Sequence, residues 1–340
     1  TVEQFWLSYI EALIKLNQID EAQTVFNEAD TRFTASKNFD SLDKKIKASL
    51  NKLPHTKNKT IEPNADQIDY LINLYNKGDL QTALSETLNL IAKVNGSSIL
   101  YNILGAINQG LGKLDDAVAA YKNALFINPE YAEVYNNMGV SLLAQTKLPH
   151  ALEAFHNALS LKPNYAEPYN NIGLVLEKQN KIEKALEAYS EAVSIRPDYA
   201  EAFNNIGKMH KNQGELEKAI EAFSKAIDIR PDYPEAFNDL GNIYEDQGEL
   251  EKALEAYSKA IDIKPDFAEA FNNSGTVFQK QGKLNKAVEF YLRALSLRSS
   301  HSTLFNLGTA LQSLGKTEES INAYSQAIAI KKDFAEAYQA

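Results

Sequence analysis

The side chains with which proteins do covalent or metal chemistry are scarce and scattered in this chain. It has no cysteine, which excludes disulfides, thiolate zinc sites, iron–sulfur clusters and cysteine nucleophiles together. Glu153 and His156 form Glu-x-x-His, the unit of di-iron sites in helix bundles, but such a site needs two copies and further carboxylates. The motif occurs once. His150 and His156 stand six apart, which turns them to different faces of a helix. His210 occupies a column held mostly by Tyr, Leu or Phe, as a packed histidine does. Gly315-Lys316-Thr317 resembles the end of a phosphate-binding loop, but Gly308 stands at the wrong spacing upstream and no strand precedes it. No serine sits in a nucleophile-elbow context. The expectation is a non-enzymatic chain with no catalytic residue, no cofactor and no metal.

A different residue type recurs at a spacing suited to recognition. Asn102, Asn136–Asn137, Asn170–Asn171, Asn204–Asn205, Asn238–Asp239, Asn272–Asn273 and Asn306 run through the chain in register. Asparagine inside a helix costs roughly half a kcal/mol against alanine, so something must compensate in each copy. A carboxamide offers an acceptor and two donors, which match the carbonyl and amide of an extended peptide backbone. The same groups can instead bond to a neighbouring helix. Internal duplication, visible in the similarity of Asn204–Tyr233 to Asn238–Phe267, would then have copied them. The residues alone leave both readings open. Specificity would come from flanking positions: Val140, Leu143, Ala144 and Leu174 form an apolar set, Lys208 and Lys211 a basic one, and Asn242, Glu245 and Asp246 a polar one. An apolar patch on a lining surface marks a partner site. The expected ligand carries apolar residues over Val140–Leu174 and an acidic group near Lys208–Lys211.

The elements that must position these side chains are helices in a regular array. Glycines fall at Gly105, Gly139, Gly173, Gly207, Gly241 and Gly275, each 34 residues after the last, and Gly308 follows after 33. In register run an alanine column from Ala117 to Ala287, an aromatic column from Tyr121 to Tyr324, a second alanine column from Ala124 to Ala327, and prolines at Pro129, Pro163, Pro197, Pro231 and Pro265. In one unit, Phe203, Ile206, Gly207 and His210 make one helical stripe. Gly214 marks a turn, and Leu216, Ala219, Ile220, Phe223, Ala226 and Ile227 make the stripe of a second helix. Pro231 ends it, because proline disfavours helical geometry in the preceding residue. The glycine and alanine columns fall where the two helices must approach closely. A single hairpin cannot bury both stripes, so neighbours must stack into a solenoid.

The pattern aromatic-x-x-Leu/Ile-Gly-x-x-aromatic, followed by Gly, Ala, aromatic, Ala and Pro, resembles the tetratricopeptide repeat. The resemblance implies an all-α, right-handed superhelical solenoid of antiparallel helix pairs. It covers seven units over residues 98–334. A looser unit fits residues 64–97 through Gly78, Leu80 and Ala83. Residues 1–53 carry degenerate helices of the same kind, 54–63 read as a linker, and 335–340 as the opening turn of a further, truncated unit. The asparagines resemble the ladder in the repeat arm of the O-linked N-acetylglucosamine transferases, which would make Asn137, Asn171, Asn205, Asn273 and Asn306 backbone-binding, with Asp239 breaking the run. The lysines of a carboxylate clamp are absent from their expected positions, which argues against C-terminal chaperone tails as ligands.

Composition narrows the partners. The 45 acidic and 35 basic residues give a formal charge of −10, which argues against nucleic acid, whose phosphates need clustered Lys and Arg. No apolar run reaches the roughly 18–20 residues of a membrane span. The partner expected is therefore a protein or extended peptide held in the groove. Two other roles fit the resemblance: the non-catalytic arm of a larger sulfo-, methyl- or glycosyltransferase, or self-assembly through the uncapped C-terminal end. The N-terminal segment resembles bacterial repeat proteins, which implies a bacterial, cytoplasmic setting.

Overall fold

The computed structural model describes Ile10, Val25, Phe26, Lys45, residues 63–94 and residues 96–331. The helices expected over 1–53 and the linker over 54–63 fall almost entirely outside the described residues, and the turn expected at 335–340 falls wholly outside them. All regular structure among the described residues is helical. The chain divides into two compact units, Thr1–Leu100 and Tyr101–Ala340.

The first unit contains α1 (Ala65–Asn76) and α2 (Leu80–Lys93). Asn64-x-x-Gln67 starts α1 as a capping box: Gln67 N–H donates to Asn64 Oδ1 at 2.8 Å and Asn64 N–H to Gln67 Oε1 at 3.0 Å. Two of the donors a helix start leaves orphaned are thereby satisfied. The turn between the helices passes through Gly78 at φ +76°.

The second unit is built from first helices α3 (Ser98–Gly110), α5 (Ala132–Ala144), α7 (Ala166–Lys178), α9 (Ala200–Asn212), α11 (Pro234–Asp246), α13 (Ala268–Lys280) and α15 (His301–Ser313). Their partners are α4 (Leu114–Ile127), α6 (Leu148–Leu161), α8 (Ile182–Ile195), α10 (Leu216–Ile229), α12 (Leu250–Ile263), α14 (Leu284–Leu297) and α16 (Thr317–Ile330). The helices pack as consecutive antiparallel pairs, and each second helix also lies against the first helix of the next pair. First helices meet one another along the stack: α5 touches α7, α11 touches α9 and α13, and α13 touches α15. The result is a tetratricopeptide-like solenoid.

Each turn within a pair is closed by the same two bonds. After α11, Glu249 N–H reaches Tyr244 O at 2.8 Å and Gly248 N–H reaches Glu245 O at 3.0 Å, with Gly248 at φ +76°. This is the Schellman closure, which needs a residue in the left-handed region. Two pairs make it without glycine, through Thr146 at φ 58° and Asn180 at φ 57°. Five of the six turns between pairs of this unit contain a proline: Arg230, for one, is extended at φ −130°, ψ 91° immediately before Pro231, as a residue preceding proline must be. At the sixth, Arg298 is extended at φ −149°, ψ 123° before Ser299, without a proline.

The glycine column fixes the distance within each pair. A Cβ at Gly173 would stand 2.4 Å from the Tyr189 ring, and one at Gly207 would stand 2.7 Å from Phe223. The same aromatic-on-glycine contact repeats at Gly105, Gly139, Gly241, Gly275 and Gly308. The rings of Tyr121, Phe155, Tyr189, Phe223, Tyr257 and Tyr291 are fully buried, walled by the alanine columns. Small residues thus let the first helix close on a large one.

A clasp secures the far end of four of these hairpins, α5/α6 to α11/α12. The last cation of the second helix pairs with a glutamate in the first turn of its own partner: Lys162–Glu133 at 3.0 Å, Arg196–Glu167 at 2.7 Å, Arg230–Glu201 at 2.9 Å and Lys264–Glu235 at 3.5 Å. The same cations lie over the aromatic that opens the next pair, Arg196 at 3.5 Å from the Tyr199 ring centre and Arg230 at 3.8 Å from that of Tyr233. Being part-exposed, each pair adds little stability, but the set holds the loops in register.

Candidate functional site

The asparagines of the first helices form two rows with different surroundings. Asn136, Asn170, Asn204 and Asn238 are buried, placed between helices rather than on an accessible face, which corrects their inclusion in the expected ligand surface. Asn102 and Asn272, in the same column, are half-buried. The second row, Asn137, Asn171, Asn205, Asn273 and Asn306, is half-buried throughout.

The rows are bonded to each other across pairs. Asn137 Nδ2 donates to Asn102 Oδ1 at 3.1 Å, Asn171 to Asn136 at 2.9 Å, Asn205 to Asn170 at 3.0 Å, Asn273 to Asn238 at 3.1 Å and Asn306 to Asn272 at 3.2 Å. Each bond is a rung from one first helix to the one before it. The rungs answer the helix-propensity cost of the asparagines: burial of an unpaired amide is what would be expensive, and the rung prevents it. Each second-row asparagine spends one N–H on its rung. Among the described residues nothing donates to Oδ1 of Asn137, Asn171, Asn205 or Asn306, whereas Asn273 Oδ1 accepts from Asn272 at 3.2 Å. An acceptor and a second N–H therefore remain at four positions.

The flanking columns prove to be tied to the aromatic of the second helix. Tyr189 OH donates to Glu177 Oε2 at 3.1 Å, and Tyr257 OH reaches Glu245 Oε2 at 2.9 Å and Asn242 Oδ1 at 2.8 Å. Tyr291 uses Gln279 and Thr276, Tyr324 uses Gln312 and Thr309, and Tyr121 uses Gln109. Where the aromatic is Phe155 or Phe223, the residue twelve positions upstream is Leu143 or Lys211. Leu143 and Lys211 thus stand where no hydroxyl asks for an acceptor. Burial pushes the Tyr189 and Tyr257 phenols well above their ordinary range, helped by Glu177 and Glu245, and the Tyr291 phenol up to about 12. These hydroxyls remain protonated donors at any physiological pH. The Tyr-or-Phe alternation, read against the residue twelve positions upstream, was the sequence signal for this coupling.

The remaining candidates sort as follows. Val140 and Leu143 are half-buried on the core cluster of Phe155, Ile172 and Val175, and Leu174 on that of Tyr189 and Met209. Lys208 Nζ lies 3.5 Å from Asp239 Oδ2, so the acidic group sought near Lys208 is present within the chain itself. Asn242 accepts from both Tyr257 and Asn273. His210 is half-buried, its Nδ1 2.6 Å from Glu215 Oε2. Glu153 and His156 are exposed. Among the described residues, no group of three or more His, Asp or Glu is placed to hold a metal ion, and no helix is long and apolar enough to cross a membrane.

Family profiles decide the kinship. The TPR repeat profile matches residues 111–145, 141–180, 178–214, 207–248 and 241–282, and a second tetratricopeptide profile matches 266–333. The chain belongs to the tetratricopeptide repeat family. No curated protein matches it. Among solved structures it is similar to that of the APC/C hetero-tetramer Cut9–Hcn1, at 14% identity and TM-score 0.63, covering 97% of this chain and 74% of that one. It is also similar to PilF of Pseudomonas aeruginosa, at 16% identity and TM-score 0.56, covering 61% and 95%. At these identities the likeness is one of fold. YrrB, a tetratricopeptide protein, matches at 27% identity and TM-score 0.40 over 54% of this chain and 95% of its own. Tetratricopeptide arrays are protein-interaction scaffolds, and this chain is such an array.

Proposed function

We propose that the row of first helices binds an extended segment of a partner protein, with Asn137, Asn171, Asn205 and Asn306 gripping its backbone. The observation that carries this reading is the division of labour within each rung. One N–H of the second-row asparagine is fixed by the preceding pair, so the carboxamide plane is held, while its Oδ1 and other N–H stay unclaimed. A held amide loses little freedom when a peptide pairs with it, which favours binding. The evenly spaced held amides of Asn137, Asn171 and Asn205 suit a regular, extended backbone, with Asn306 a further contact beyond the gap, and leave side-chain preference to the flanking columns. Val140, Leu143 and Leu174 offer apolar contact at one end of the row, Lys208 and Lys211 charge in the middle, and Thr276, Gln279, Thr309 and Gln312 neutral polar contact beyond.

Peptides selected from a displayed library on the purified chain test this reading by hydrogen exchange. Bound peptide is expected to slow exchange in α5, α7 and α9 and to leave α6, α8 and α10 unchanged. Protection confined to the second helices would place the partner on the other face and overturn it.

A further inference from the structure

One rung of the ladder is different in kind. The seven pairs of the second unit have six junctions, and five are bridged by an asparagine donating to an asparagine. At the sixth, between α9 and α11, the donor position is held by Asp239, and a carboxylate has no hydrogen to give. Its intended acceptor, Asn204 Oδ1, is buried and has no hydrogen-bond partner. The carboxylate itself turns to Lys208, 3.5 Å away. Lysine occurs at this column only here; the equivalent positions are Ala106, Val140, Leu174, Asn242, Thr276 and Thr309.

We propose that Asp239 is a proton-operated rung: ionised, it is held by Lys208 and leaves Asn204 Oδ1 without a donor; protonated, it donates to Asn204 Oδ1 and closes the ladder between α9 and α11. The charged groups acting on it are Lys208 and Lys211 from α9 and Glu269 from α13. On α11 itself, Glu235 is engaged by Lys264 and Glu245 by Lys280; no group on α10 or α12 figures among those acting on it. Burial raises the Asp239 carboxyl above the ordinary aspartate range, Glu269 adds to the rise, and the two lysines oppose it. A carboxyl raised in the folded state favours folding when protonated. Its contribution is complete below the unfolded value near 3.9 and is lost as pH rises through the raised folded value. The junction between the fourth and fifth pairs is thus looser at neutral pH than its five neighbours and tightens on acidification. This inference concerns the stack alone and stands independently of peptide binding.

Thermal unfolding of the wild type, Asp239→Asn and Lys208→Met, followed from about pH 7.5 to about pH 4.5, tests it. Asp239→Asn supplies a permanent donor and is expected to raise the midpoint at neutral pH by about 2–4 °C, the equivalent of one hydrogen bond in a unit of this size. The gain should shrink as pH falls and the wild-type rung closes by itself. Lys208→Met removes a cation that favours the carboxylate, so the wild-type-like tightening should begin at higher pH. Amide exchange in α9 and α11 should slow in Asp239→Asn at neutral pH. An unchanged or lower midpoint for Asp239→Asn would mean that Asn204 already turns its amide to donate to the carboxylate, and would overturn the proposal. A gain that does not vary with pH would remove the proton from it.

Discussion

Gly173 has no room for a methyl group because the Tyr189 ring lies on its Cα, and this one contact shows how the smallest residues set the geometry. The glycine and aromatic columns are readable in the sequence because each is forced at every copy by the same neighbour. The second set of glycines was readable as turns, and the structure gives their reason: Gly248 meets nothing within 4 Å and is required only by its φ of +76°. The two places where that turn lacks glycine make the difference measurable. Thr146 is β-branched and sits at φ 58°, a conformation that costs a non-glycine residue roughly 1–2 kcal/mol, offset in part by the greater entropy glycine brings to the unfolded chain. Thr146→Gly is therefore expected to stabilise the chain by about 0.5–1 kcal/mol, checked by urea unfolding. A loss of stability would mean that the Thr146 hydroxyl, which bonds to Gln145 O at 2.6 Å, contributes more than the backbone costs.

At the scale of the helix pair, each hairpin is locked by a hydroxyl or by its omission. Tyr189 with Glu177 and Phe155 with Leu143 are two solutions to the same contact. Tyr189→Phe alone leaves the Glu177 carboxylate without its donor, and Glu177→Leu alone leaves a buried hydroxyl without its acceptor. Each is expected to cost about 1 kcal/mol. The double variant recreates the Phe155–Leu143 pair and should recover most of the loss, a coupling of about 0.5–1.5 kcal/mol by double-mutant cycle. Additive losses would show that the two residues act separately. This pairing also explains why sequence reading assigned Leu143 and Lys211 to ligand recognition. Read down one column they are an apolar and a basic side chain beside the asparagines; read against the second helix they also track the absence of a hydroxyl. The asparagines show the reverse. Their recurrence signalled a compensating partner in each copy, but a single sequence could not say whether that partner was a ligand or the next helix. Only the contact across 34 or 35 residues shows that the next helix is one such partner.

Over the whole array, nearest-neighbour contacts carry the structure. Stability in such a solenoid is a sum of pair and junction terms, so the rungs, small singly, repeat at nearly every junction of the second unit. The fold was legible because a 34-residue period admits few architectures. The candidate surface was legible only as a set of columns, since the tyrosine locks and the Asp239–Lys208 pair depend on side chains from different helices. The central claim is that the second-row asparagines face a ligand in addition to bridging the pairs, and two variants separate these roles. Asn137→Ala, Asn171→Ala and Asn205→Ala combined remove three rungs and the ligand-facing amides. Asn102→Ala, Asn136→Ala and Asn170→Ala combined remove the same three rungs from their acceptor side and leave those amides in place. Calorimetric titration of both with a selected peptide, at a temperature where circular dichroism shows each folded, is the measurement to make. The account expects at least about a tenfold loss of affinity, some 1.4 kcal/mol, in the first variant and a clearly smaller loss in the second. Equal affinities in the two would contradict it and make the ladder a purely structural device.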